Sequence, residues 1–319
     1  MKEVAFLKLN AEKWKKLEGL LNNSEPVDAD IYAGLFLEIT DDLSFARTHF
    51  PGSKTTQYLN GLAGKLHQEI YRNKRTDKNR LVTFWKTELP TLYANHRNSL
   101  LYSFVIFSIA VMIGTVSTLN DTSFVRLILG DGYVNMTEHN IEKGDPLAVY
   151  KDARQLQMFF GITLNNIRVS FLCFSAGILL SVGTAFMLFT NGVMLGTFHT
   201  FFYLNSLLGE SLLVIYIHGA LEISAIIIAG SAGLVLGNSI LFPGSFTRRE
   251  SLQRGAKDGL KIAIGLVPVF IAAGFLESFV TRYTEMPVAL SLLIIFGSLA
   301  FIGFYFIAYP AYLNQKAKK

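Results

Sequence analysis

Cysteine and charge are the two features that this sequence has least of. Its 319 residues include a single cysteine, Cys173, which excludes an intrachain disulfide and a metal site built from several thiolates. Only 17% of residues are charged and 51% are hydrophobic. From Val169 to Leu241 there is no lysine or arginine, and the only acids are Glu210 and Glu222. A soluble fold of this size could not bury so much apolar surface, so the composition predicts an integral membrane protein.

Two further absences narrow the class of protein. The chain has 29 basic and 24 acidic residues, an excess too small to indicate a nucleic-acid partner. We interpret the basic residues as juxtamembrane charge facing lipid headgroups. The first residues form a charged amphipathic pattern without the apolar core of a signal peptide, so we do not expect secretion.

The region 1–80 has helical periodicity and predicts a soluble head of three helices. Pro26 and the Pro51-Gly52 pair separate the runs. The apolar residues that recur at helical spacing are Phe6, Leu7, Trp14, Leu17, Leu21, Ile31, Leu35, Ile39, Leu43, Leu62, Leu66 and Ile70. The following segment, 81–98, mixes aromatic and basic residues around Pro90. It is typical of an amphipathic elbow helix at the membrane surface, although a fourth helix of the head is the alternative.

Apolar runs between 99 and 315 predict six membrane spans. The predicted spans are Leu100–Leu119, Val169–Thr190, Val193–Leu208, Ser211–Gly237, Leu260–Val280 and Val288–Tyr309. Asn191-Gly192 is expected to form a tight turn between the second and third spans, and the third is the least certain because it is short. The loop 120–168 is expected to contain one helix from Pro146 to Phe160, begun by Asp145.

The distribution of lysine and arginine predicts the orientation. Basic residues cluster before the first span, in the loop 242–258 with Arg248, Arg249 and Arg254, and at the C-terminal tail. Cytoplasmic segments are enriched in such residues, and six spans put all three clusters on that side. We therefore expect an all-α bundle of six spans in the cytoplasmic membrane, with both termini inside, a soluble cytoplasmic head and an extracytoplasmic loop 120–168.

Polar residues within the spans are the candidate functional site. Glu222 and His218 lie one helical turn apart near the middle of the fourth span, Glu277 lies near the end of the fifth, and His199 lies in the third. An acid at this depth is rarely exposed to lipid, so these residues predict either a proton or cation relay or an interhelical hydrogen bond. A metalloprotease is a weaker interpretation because no His-Glu-x-x-His motif occurs. We expect no metal or other cofactor.

Glycine spacing predicts close helix packing. Gly192 and Gly196, and likewise Gly233 and Gly237, are four residues apart, and Gly177 lies among small residues of the predicted second span. Small residues at this spacing allow two helix backbones to approach closely and also favour self-association. Pro268 is expected to kink the fifth span.

These positions carry a resemblance to a known family. The ordered motifs are Asn165-Asn166-x-Arg168-Val169, Phe174-Ser175-Ala176-Gly177, Gly183-Thr184, Asn191-Gly192-x-x-Leu195-Gly196, His218-Gly219-x-x-Glu222, Ala229-Gly230-x-Ala232-Gly233-Leu234, Arg248-Arg249 and Leu276-Glu277. In this series the sequence resembles the stage II sporulation protein M family of polytopic membrane proteins. The head, with Asp41-Asp42-Leu43 and Tyr58-Leu59-Asn60, is similar to longer members of that family.

The resemblance implies a membrane-complex component rather than a defined chemistry. Members in spore-forming bacteria act with a cell-wall-degrading partner during engulfment, and others occur in bacteria and archaea that do not sporulate. We therefore expect a non-enzymatic scaffold that contacts other envelope membrane proteins and forms homo-oligomers. A proton- or cation-coupled transporter or channel using His218 and Glu222 is the alternative.

Overall fold

The computed structural model describes residues 2–22, 29–72, 80–148, 154–284 and 286–317. These residues form helices and contain no strand. The chain divides into two compact units, Met1–Leu81 and Val82–Lys319, which we describe separately.

The first unit consists of three helices, α1 (Glu3–Asn22), α2 (Ala29–His49) and α3 (Lys54–Arg72). Most of the apolar residues that the periodicity selects meet in one core, which contains Phe6, Trp14, Leu17, Ile39, Leu43, Leu62 and Leu66. Leu7 is an exception because it is exposed, and the side chains of Ile31 and Ile70 lie outside the described part. The Trp14 indole nitrogen donates to Asp42 Oδ2 at 2.8 Å and so satisfies the polar atom of a buried ring.

The segment after the head packs within the membrane unit. It comprises α4 (Arg80–Thr83), a π-turn (Phe84–Glu88) and α5 (Leu89–Asn95). Leu89, Leu92 and Tyr93 are buried against residues of the fifth and sixth spans, and Tyr93 makes an edge contact with Phe306 at 4.9 Å. The Tyr305 hydroxyl donates to the Trp85 carbonyl at 2.6 Å. The core contacts of this segment therefore lie within the second unit.

Six helices in the described residues are long and apolar enough to cross a membrane. The six spans are Arg97–Asn120, Gln155–Ile178, Val182–Leu204, Leu208–Leu241, Arg248–Val280 and Val288–Lys316. The first, third and fourth are the single helices α6, α10 and α11, and the second is α9 (Gln155–Ser175) followed by a short 3₁₀ turn. The fifth consists of α12 (Arg248–Gly265), α13 (Val267–Phe275) and a π-turn, and the sixth of α14 (Val288–Gly303), a π-turn and α15 (Tyr309–Ala317). The protein is thus a polytopic helical membrane protein.

The boundaries of the second and third spans differ from the sequence prediction. The predicted span Val169–Thr190 contains the connection between α9 and α10, where Leu180 and Ser181 have left-handed backbone angles, with φ of 54° and 67°. The prediction of a turn at Asn191-Gly192 was wrong, because both residues lie inside α10. The Asn191 side-chain amide donates to the Met187 carbonyl at 2.8 Å, so this polar side chain is satisfied within the helix.

Two connecting segments also differ from the prediction. The region 120–154 contains two short helices, α7 (Ser123–Leu129) and α8 (Asp131–Glu142), which the sequence analysis did not predict. The helix predicted from Pro146 to Phe160 instead begins at Gln155, and part of the predicted range lies outside the described residues. Arg248, Arg249 and Arg254 lie on α12 rather than in a loop, because Thr247 caps that helix by accepting a hydrogen bond from the Glu250 amide at 3.2 Å.

Close backbone contacts explain most of the glycines that the spacing selects. Gly192 and Gly196 lie against the backbone of α6, and Gly177 lies against the backbone of Gly233. A side chain at Gly230 would overlap Ser103 and Leu188. Gly219 differs, since a Cβ there would meet only Ile215 and Ile223 at 3.7 Å, an ordinary contact.

Candidate functional site

Three ionisable side chains meet inside the membrane unit. His218 and Glu222 lie one turn apart on α11, and Glu277 lies in the π-turn Leu276–Val280 that ends the fifth span. One potential ligand atom from each residue lies within 4.8 Å of the other two. His218 Nε2 is 3.9 Å from Glu277 Oε1. The structure therefore brings together three of the four polar residues that the sequence selects, and we call them the His–Glu–Glu cluster.

The π-turn places both Glu277 and the residue that orients His218. Its wider loop is closed by a hydrogen bond from the Thr281 amide to the Leu276 carbonyl at 2.8 Å. The Thr281 hydroxyl lies 3.0 Å from His218 Nδ1 and donates to the Leu276 carbonyl at 3.2 Å. A hydroxyl has one proton, so when it donates to the Leu276 carbonyl it accepts a hydrogen bond from the Nδ1–H of His218. In that tautomer Nε2, which lies 3.9 Å from Glu277 Oε1, carries no proton.

Asn166 of α9 lies beside Glu222 in a row of buried polar residues. Thr163, Asn166 and Ser170 share one face of α9, and each has a side-chain nitrogen or oxygen atom that is buried without a well-formed hydrogen bond. Asn166 interacts with the Glu222 carboxylate, but its amide nitrogen forms no hydrogen bond of good geometry. Buried polar groups without partners are costly in hydrocarbon and mark sites where a polar ligand or water is accommodated.

A cavity of about 380 Å³ reaches the cluster. His218 and Glu222 line it from α11, Asn191 and Phe198 from α10, and Leu129 and Tyr133 from the helices of the connection 120–154. The cavity thus joins the buried carboxylate to the segment outside the spans. Burial raises the pKa of the Tyr133 phenol, although a hydrogen bond to Thr137 opposes the shift, so this residue stays neutral beside the cavity.

His199 does not join the cluster. Its Nδ1 lies 2.8 Å from the Leu195 carbonyl one turn earlier, and its ring contacts Phe198 and Tyr216. The geometry gives it a separate place within α10 and no ligand position beside Glu222 and Glu277.

Charged residues elsewhere lie on the surface of the membrane unit. Arg248, Arg249 and Arg254 are exposed on α12, where Arg254 pairs with Glu250 at 2.9 Å and lies over the Phe246 ring at 4.0 Å. Asn165 and Arg168 are exposed on α9, within the second span. Sequence reasoning did not select Arg168 as a site residue because the predicted span began only at Val169.

Comparison with known families identifies the membrane unit. The model of the family described as "Stage II sporulation protein M" matches residues 103–282, more than half of the chain. The chain belongs to the stage II sporulation protein M family. The match includes α9 to α13 and the π-turn that follows, where the sequence motifs lie, and every residue of the His–Glu–Glu cluster. This family is not a known enzyme family.

The head of this stage II sporulation protein M family member matches a second family model. That family is described as "Domain of unknown function (DUF8413)", and its match covers residues 4–72, which include α1 to α3. No curated protein and no solved structure gives a significant match.

Proposed function

We propose that this protein is a non-enzymatic membrane scaffold that holds other envelope membrane proteins in a cell-envelope-remodelling complex. The supporting observation is the exposed Arg168 of α9. It lies 13 residues after Gln155 and 10 residues before Ile178. At 1.5 Å per residue this is about 15–20 Å along the axis from either end of the helix, so Arg168 lies near the middle of the span.

An arginine at this depth is costly when it faces lipid. The cost is about 2.5–3.5 kcal/mol on membrane-insertion scales. Within the described part of the chain Arg168 forms no ion pair. A transmembrane helix of another protein that offers a carboxylate or carbonyl oxygens would remove the cost, and Asn165 one turn earlier supplies a second hydrogen-bonding group.

Replacing Arg168 by leucine is expected to release the partner. The variant makes α9 more apolar, so it does not weaken membrane insertion, and the exposed side chain has no internal packing to lose. The protein is purified in mild detergent from native membranes after brief crosslinking, and the co-purifying proteins are quantified by mass spectrometry. Arg248→Leu is the matched control, since it removes an exposed arginine outside the apolar part of the spans.

If the protein is a scaffold, Arg168→Leu should recover at least tenfold less of one envelope protein than the wild type does. A tenfold loss corresponds to about 1.4 kcal/mol of binding free energy. Arg248→Leu should recover the normal amount. A protein that purifies only with itself, or with the same partners in both variants, would contradict the scaffold.

The proposed orientation places both termini and the α11–α12 connection in the cytoplasm. Single-cysteine variants test it, with Cys173 first replaced by serine. Leu127→Cys on α7 should react with a membrane-impermeant maleimide in intact spheroplasts, because the 120–154 connection lies outside. Ser245→Cys should react only after permeabilisation. Labelling of the two sites in the opposite order would invert the topology.

Cation-coupled transport is the second candidate, and the cavity favours it. The cavity leads from the 120–154 connection to Glu222, so a cation could reach the cluster from one side of the membrane. Transport would require a further path to the opposite side.

A further inference from the structure

We propose that His218, Glu222 and Glu277 bind one divalent transition-metal ion, with zinc as the best-fitting species. From the sequence no metal is expected, because the pair on α11 offers only two ligands. The fold supplies the third from the π-turn of the fifth span, and the three ligand atoms already lie within 4.8 Å of one another.

The ligand distances suit a metal better than a direct ion pair. His218 Nε2 and Glu277 Oε1 are 3.9 Å apart, longer than a hydrogen bond. Two ligands on a tetrahedral zinc ion lie about 3.4 Å apart, given bonds of about 2.0–2.2 Å. A small shift of the Glu277 side chain therefore converts the observed geometry into a coordinated one.

The surroundings orient the ligands. When Thr281 donates to the Leu276 carbonyl and accepts the Nδ1–H of His218, Nε2 is the coordinating nitrogen, which is the usual arrangement behind a metal-binding histidine. Thr281 is fully buried, and His218 is 5% exposed. Asn166 lies beside Glu222 on the other side and can donate to the carboxylate oxygen that does not bind the metal.

Charge provides an independent argument. Glu222 and Glu277 are close enough to repel each other, and both are largely buried. From Val169 to Leu241 there is no lysine or arginine, so α9, α10 and α11 bring no permanent cation to this depth after Arg168, which faces outward. A divalent ion neutralises both carboxylates at once.

The mixture of donors selects the class of metal. One imidazole and two carboxylates favour zinc, manganese or ferrous iron over magnesium and calcium, which prefer oxygen ligands throughout. Three protein ligands leave a fourth position, and the cavity beside His218 and Glu222 has room for water there.

Metal binding is tested on the purified full-length protein in detergent. The protein is treated with a chelator, and zinc, manganese or magnesium is then added and bound metal is measured by mass spectrometry after desalting. We expect one zinc ion per chain, weaker manganese binding and no retained magnesium. Glu277→Gln and Glu222→Gln should each weaken zinc binding at least tenfold.

Two matched controls separate a site from general loss of structure. His199→Asn removes a histidine of the same bundle that lies outside the cluster, and Glu210→Gln removes an exposed acid of α11. Both should retain zinc. Equal binding by Glu277→Gln and the controls, or less than one metal per two chains in the wild type, would overturn the proposal.

Cobalt substitution tests the geometry directly. Four-coordinate Co²⁺ gives strong visible absorption bands, which should appear with the wild type. They should be absent with Glu277→Gln, provided that this variant has the same size-exclusion profile as the wild type. Bands of equal strength in both would assign the metal to another site. The proposal does not depend on the scaffold function, because Arg168→Leu leaves the cluster intact and should bind zinc normally.

Discussion

Replacing Gly196 by alanine is expected to destabilise the membrane unit strongly. A Cβ at this position of α10 would overlap the Val111 carbonyl oxygen of α6 and would lie 3.0 Å from the Thr115 amide nitrogen. Because both atoms belong to the backbone, no side-chain rotation can relieve the overlap, and the two helices must separate. Overpacking in a core typically costs about 1–3 kcal/mol, and we expect the upper end here.

The measurement is the thermal midpoint for loss of the monodisperse peak in detergent. Gly303→Ala is the matched control, since a Cβ at Gly303 of α14 would meet no atom within 4 Å. Alanine at that position should leave the midpoint unchanged or raise it slightly, because alanine favours the helix over glycine. Equal midpoints for the two variants would show that α6 and α10 do not pack through Gly196.

The same close contacts explain why the sequence predicted six spans but misplaced two of them. The Asn191-Gly192 pair has the composition of a turn, yet Gly192 is small because it lies against Phe107 and Ala110 of α6. The real connection instead turns at Leu180 and Ser181, which have positive φ angles. It is fixed by hydrogen bonds such as Ser181 N to the Gly177 carbonyl at 3.1 Å, and by the contact of Gly177 with Gly233. Glycine spacing indicates close packing, but local sequence does not show which helix each glycine contacts.

The residues of the candidate site could likewise be predicted only in part, because the sequence does not show which helices contact one another. Helical spacing alone places His218 and Glu222 on one face, and it offered Glu277 only as a further candidate. Thr281, Thr163 and Ser170 could not be selected, because their importance depends on which helix faces α11. The spacing of Thr163, Asn166 and Ser170 does mark one face of a helix, but the misplaced second span put the first two in a loop.

The aromatic and basic residues of segment 81–98 predicted a helix at the membrane surface, but they did not predict which residues it contacts. Lys261 of α12 pairs with Glu88, and Gly265 is small because Leu89 lies against it. These partners are more than 170 residues apart in the chain, so only the fold brings them together.

The change of Glu222 to glutamine is expected to separate the candidate functions, because it removes a charge while nearly preserving shape. Glutamine fills the same volume beside Asn166 and keeps an oxygen that can accept a hydrogen bond, so the scaffold predicts normal recovery of envelope partners. Cation coupling predicts the opposite, since a side chain that cannot ionise neither releases a proton nor neutralises a cation at any pH. Cation flux into proteoliposomes should then be absent throughout the pH range, with Glu210→Gln, an exposed acid of the same helix, as the active control.

Together, the results for Arg168→Leu and Glu222→Gln distinguish the function of the outer face of α9 from that of the His–Glu–Glu cluster. If Glu222→Gln loses zinc and keeps its partners while Arg168→Leu loses partners and keeps zinc, the cluster stabilises a scaffold whose contact surface is the outer face of α9. If wild-type vesicles carry a cation flux that Glu222→Gln abolishes, the cavity is the entrance of a transport path and the scaffold is insufficient. Loss of partners from Glu222→Gln at unchanged size-exclusion profile would contradict the separation itself, because it would mean that the buried cluster controls the exposed face.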